Sequence, residues 1–164
     1  MTGAVSIREL ALRAVKDALS GYGSPAANVF RSKLNTITQA DLPCYDITPD
    51  EEKLKVGGEW GDRLTDTRTL TVIVRSIIDA ATQEGEDTSQ SSSAPVDDSG
   101  LDPFYVFAVN ALTGDDANLN GAVLDVVEVS SKTVFQPGGR DFIGLETTFE
   151  IEFATKRGDP TQKG

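Results

Sequence analysis

The chain has 164 residues, enough for one domain with a real core, and 26 acidic against 15 basic residues give a net charge of -11. With no histidine, Ser-His-Asp, Cys-His and His-metal chemistry are excluded, and the acidic surplus repels phosphate backbones and anionic membranes. Cys44 is the single cysteine, so no intrachain disulfide forms, and no apolar run approaches a membrane span or a secretion signal. Synthesis in the cytoplasm is the expectation.

Charge is unevenly spread. Residues 1–40 carry five basic and two acidic side chains, and residues 41–164 carry ten basic and 24 acidic. That polarity either orients copies head to tail or is ordinary unevenness of a solvated surface.

Ser6-Ile7-Arg8-Glu9 is a capping box, and Ile7, Leu10, Ala11, Ala14, Val15 and Ala18 follow at helical spacing, so residues 7–19 are expected to be a helix that Gly21, Gly23 and Pro25 end. Short strands are expected around Val29-Phe30 and over Pro43 to Ile47, with Cys44 buried in the second. Asp50 to Gly61 is charged and glycine-rich and reads as a loop. Trp60 within it either packs over an edge or anchors a partner subunit. Arg63 to Ile78 gives the longest β signal, with Leu64, Asp66, Arg68, Leu70, Val72 and Val74 on one face and threonines on much of the other.

From Gln83 to Asp98 there are five acids, no base and one large apolar residue, which predicts a mobile acidic, serine-rich loop at about 83–100 within a single domain. Asp102 is expected to cap a second helix with Pro103 at its first position, and Gly114 to stop it. A strand around Val123 to Val129, a turn at Pro137-Gly138-Gly139 and a final strand follow. In that strand Leu145, Phe149, Ile151 and Phe153 alternate with Glu146, Thr148, Glu150 and Glu152, which puts one face on a core and the other in solvent or against a charged partner. The tail, 156–164, is expected to fray.

Two motifs invite chemistry and fail. Asp116 to Gly121 matches the start of a calcium loop, but Val127 stands where the bidentate glutamate belongs. Gly138-Gly139-Arg140 lacks the lysine and helix of a phosphate loop. No catalytic, cofactor or metal residue is assigned, and no enzymatic activity is expected.

The order of these elements, with the Leu-Pro-x-Tyr-x-Ile segment Leu42 to Ile47, the long Thr/Val strand Thr65 to Ile78 and the terminal strand Glu146 to Phe153, resembles the tail terminator proteins of long-tailed bacteriophages, the lambda-type minor tail protein U group. The similarity runs over roughly residues 6–155. It implies an α+β domain, with a mixed or mainly antiparallel sheet and two helices on one face. It also implies a homohexameric ring at the head-proximal end of the virion tail. Such a ring would contact the tail tube protein and a head-completion or connector protein and stop tube growth. DNA would pass through unbound. On that reading the acidic loop, through Glu84, Glu86 and Asp87, faces the lumen or the tube. The alternatives are another neck or connector ring subunit, a carboxylate-dependent enzyme, or a monomeric binding domain.

Overall fold

The computed structural model describes residues 4–21, 23–33, 36–55, 64–79, 99–114, 118–135 and 142–164. Helix α1 spans Ile7–Leu19, as expected, with Ser6 Oγ accepting from Glu9 N at 3.1 Å. The Glu9 carboxylate does not reach back to complete the box. It takes Arg31 Nη1 at 2.8 Å and Arg13 Nε at 3.0 Å, tying α1 to the first strand.

The strands are β1 (Asn28–Arg31), β2 (Cys44–Lys55), β3 (Thr65–Asp79), β4 (Asp125–Phe135), β5 (Phe142–Lys156) and β6 (Asp159–Lys163), with α2 (Asp102–Thr113) between β3 and β4. They form one mixed sheet in the order β1-β2-β3-β5-β4. β1 runs parallel to β2 and every other pairing is antiparallel. β3 occupies one edge of β5 along its whole length, so β4 and β6 share the other edge, meeting it at Asp125↔Glu152 and Lys156↔Asp159. The result is a single α+β domain.

Both helices lie on one face. Ile7, Ala11, Leu12, Val15 and Leu19 of α1 and Ala108 and Leu112 of α2 pack on Tyr45, Ile47, Leu70, Val72, Val74, Val126, Phe149, Ile151 and Phe153. Each fully buried large side chain contributes about 1.5–3 kcal/mol of transfer free energy. Tyr45 locks the layers together: its ring meets Phe104 edge-on at 5.9 Å and its hydroxyl donates to the Phe104 carbonyl at 2.9 Å.

Four expectations need correction. β2 continues through Lys55, so part of the charged stretch read as a loop is strand. β4 extends to Phe135, beyond the expected Val129. Asp102 is the first residue of α2 and makes no side-chain cap; a 3-10 turn over Ser99–Leu101 leads in instead. The tail does not fray: Gly158 turns the chain with φ +76°, and β6 returns along β5. The Asp159 carboxylate accepts from Thr161 N at 3.0 Å, which rigidifies the turn.

Candidate functional site

The sheet face opposite the helices is where the charged side chains are organised, because strand register, not sequence proximity, brings them together. Asp46↔Arg75, Arg75↔Glu146 and Glu146↔Lys132 are directly paired positions on β2, β3, β5 and β4. They form one row of alternating sign across four strands. Arg75 Nε donates to Glu146 Oε2 at 2.6 Å and Arg75 Nη1 to Thr48 Oγ1 at 2.9 Å, with Asp46 Oδ2 3.7 Å from Nη1. Lys132 Nζ lies 3.1 Å from the other Glu146 oxygen.

Asp46 is fully buried and still satisfied, accepting from Lys33 N at 2.7 Å and from the Thr48 hydroxyl at 3.0 Å. Burial pushes the Glu146 carboxyl up, but Lys132 and Arg75 outweigh it and hold it below its ordinary value. Every member of this row is used by its neighbours. It is a brace across the sheet.

Beyond the row towards the strand ends lies a small apolar cluster of Ile37, Cys44 and Ile77, with Phe30, Leu42 and Phe142 packed against it. Cys44 is fully buried there, and burial, with Asp46 and Asp41 nearby, pushes its thiol up to about 12. A thiol in that state is no nucleophile. Gly144 leaves a notch of about 110 Å3 beside Ile77 and Val134.

In the opposite direction the row through Thr69 is different. Register places Lys53 of β2, Glu152 of β5 and Asp125 of β4 in line with it, and Lys55, Thr67 and Thr71, Glu150 in the adjacent rows. Lys53, Lys55, Asp125 and Glu150 are exposed, and Val127 and Val129 beside them are 50% and 53% exposed. Lys53 Nζ lies 3.1 Å from Glu51, a contact in which both side chains are largely in water.

On the helix side a groove of about 730 Å3 lies between α1 and α2, lined by Ala14, Ala18, Gly21, Phe107, Asn110 and Ala111. Asp17 is the titratable side chain among its described lining residues, and a lone carboxylate offers no acid/base pair. Asn118, within the calcium-like stretch, spends its side-chain oxygen on Gly121 N at 3.1 Å. The turn it closes carries Leu119, Asn120 and Gly121 at positive φ straight into β4. Among the described residues no three His, Cys, Asp or Glu side chains gather as a metal-ligating group.

Trp60, Glu84, Glu86, Asp87 and the Gly138-Gly139-Arg140 turn lie outside the described residues. The residues that structure adds, the braced row and the open Lys/Glu face, were hidden from sequence reasoning except for the alternation of Glu146, Glu150 and Glu152. No family model matches the chain, and no curated protein matches it.

Proposed function

We propose that this chain is a structural subunit that assembles into a hexameric ring at the head-proximal end of a long-tailed phage tail. There it ends growth of the tail tube and offers a surface for joining the head. A ring built by rotation needs a head-to-tail contact between two unlike patches on each subunit. What supports the reading is the strand order, which leaves β1 at one end of the sheet and β4 at the other, each paired on one side among the described residues. One end is a four-residue strand beside Arg31 and Lys33; the other is an eleven-residue strand bearing Asp125, Val127 and Val129. Unlike ends of this kind suit closure into a ring rather than a two-fold pair.

The experiment is to measure the mass of the purified chain by light scattering and to image it by negative stain. Six-fold mass and annular particles are expected, and the protein should cap polymerising tail tubes at shorter lengths. A compact monomer at high concentration that leaves tube length unchanged would refute the proposal.

A further inference from the structure

We infer that four arginines around the first turn of α1 form a docking surface for the acidic 84–87 stretch of a neighbouring copy. The surface is built from two adjoining triads. Glu9 takes Arg31 Nη1 at 2.8 Å and Arg13 Nε at 3.0 Å, and Glu52 takes Arg68 Nη1 at 2.8 Å with Arg8 Nε 3.3 Å away. Arg8 and Glu9 are consecutive, so the triads adjoin, with four cations against two carboxylates. On a chain of net charge -11 this corner is positive. Its guanidiniums are not used up. The buried Arg8 Nε makes no hydrogen bond among the described residues, and the Arg8 and Arg13 side chains are 43% and 57% exposed. A guanidinium presents its donors in a planar fork that suits a carboxylate.

The occupant follows from charge and from reach. Gln83 to Asp98 holds five acids and no base, and Glu84, Glu86 and Asp87 are its densest group. In its own copy that group starts from the far end of the sheet. The described residues stop at Asp79 and resume at Ser99, where Leu101 packs on Ile78. Arg68 stands eleven residues back along β3 from Asp79, about 36 Å at about 3.3 Å per residue. Asp87 is eight residues beyond Asp79 and reaches at most about 29 Å with the chain fully extended. It therefore meets the Arg8–Glu52–Arg68 triad of its own copy only as a taut chain, which conformational entropy opposes. A neighbouring copy is under no such constraint. A patch and a segment at opposite ends of β3 are unlike surfaces, as a head-to-tail ring requires, so the inference rests on the ring reading and names one of its contacts. It turns the acidic stretch towards a neighbour rather than the lumen. Exposed ion pairs are weak singly and screened by salt, so the contact depends on repetition around the ring.

Cross-linking of two co-expressed, differently tagged full chains tests it. Ala4→Cys, shortly before Arg8, goes into one copy and Ser89→Cys, shortly after Asp87, into the other; the native Cys44 is buried. A short bis-maleimide should give heterodimers at low salt and about tenfold fewer at about 1 M, where the screening length falls to about 3 Å. Glu84→Lys, Glu86→Lys and Asp87→Lys in the second copy should cut the low-salt yield about tenfold, and Arg8→Glu with Arg13→Glu in the first should restore it. Circular dichroism checks that each variant folds. If the double glutamate form does not, Arg8→Gln with Arg13→Gln should lower the yield of the unreversed pair about threefold. No heterodimer, or a yield indifferent to the loop reversal, overturns the inference. Six-fold particles without heterodimers leave the proposed function standing and remove this contact alone; heterodimers from a chain that forms no ring keep the contact and refute the ring.

Discussion

Replacing Arg75 by methionine tests whether the braced row holds the sheet together. Methionine keeps most of the aliphatic stem and removes the guanidinium, so packing changes little while the charge disappears. Asp46 is then left fully buried beside a missing cation, and Glu146, whose side chain is 12% exposed, keeps Lys132. Breaking one partner out of a buried ion pair costs about 3–5 kcal/mol. Two surviving hydrogen bonds, from Lys33 N and Thr48, continue to support Asp46 and set the expectation at the lower end, about 3 kcal/mol. For a domain of this size that lowers the melting temperature by roughly 6–12 °C. Urea unfolding followed by circular dichroism reads the change as a shift in midpoint with unchanged slope. Lys132→Met is the internal control: its side chain is 74% exposed, and its loss should cost less than about 1 kcal/mol. If Arg75→Met costs no more than Lys132→Met, the row is ornamental and the argument from burial is wrong.

Tyr45→Phe removes one hydrogen bond to the Phe104 carbonyl and should cost about 0.5–1.5 kcal/mol in the same denaturation assay, with α2 the first element to lose amide protection. Gly144→Ala should be neutral or stabilising by up to about 1 kcal/mol, because an added methyl meets Ser76 O at 3.5 Å and Ile77 at 3.7 Å, ordinary contacts in an open notch. A thiol reagent should label Cys44 in native protein far more slowly than in urea-unfolded protein at the same pH; equal rates would place the thiol outside the apolar cluster. The Asp41 carboxyl, held down to about 2 first by its hydrogen bond from Lys33, stabilises the fold fully above its unfolded value of 3.8 and loses that contribution as pH falls towards 2. The stability gap between wild type and Lys33→Ala should therefore be open at pH 7 and closed below pH 2, and a gap that persists in acid would contradict the assignment.

How much of this was legible in the sequence follows from what each element needed. α1 is local: a serine cap and a 3.6-residue apolar period specify it without tertiary help. β5 was legible because one face is buried and the other open, so its side chains alternate cleanly. β2 beyond Pro49 was not, because both its faces are polar there. Glu52 turns to the helix side and meets Arg68 at 2.8 Å, while Lys53 and Lys55 turn to the open side. Charges read as a loop when their partners are sixteen residues away in the chain. β6 is held by backbone pairing and a turn, and four polar residues and a proline carry no periodic signal of that. The braced row depends on the register of four strands, and its Arg75–Glu146 contact spans 71 residues.

The two charged rows of the open face show why register, not composition, decides which charges meet. Composition treats Asp46, Arg75, Glu146 and Lys132 as equivalent to Lys53, Glu152 and Asp125: all are charges on strands. In the first row opposite signs are nearest neighbours, so the Coulomb attraction is spent inside the subunit and nothing is left to recognise a partner. In the second, Thr69 stands between the signs. Two charges about 10 Å apart across an open surface are separated by roughly a Debye length at physiological salt, so they hardly feel each other within one copy. Burial follows the same division. Glu146 is 12% exposed because its partners make burial tolerable, whereas Glu150, which forms no ion pair among the described residues, stays in water. Raising salt should therefore leave the Asp46–Arg75–Glu146 row, and hence the unfolding midpoint, nearly unchanged, because partly buried pairs are screened far less than exposed ones.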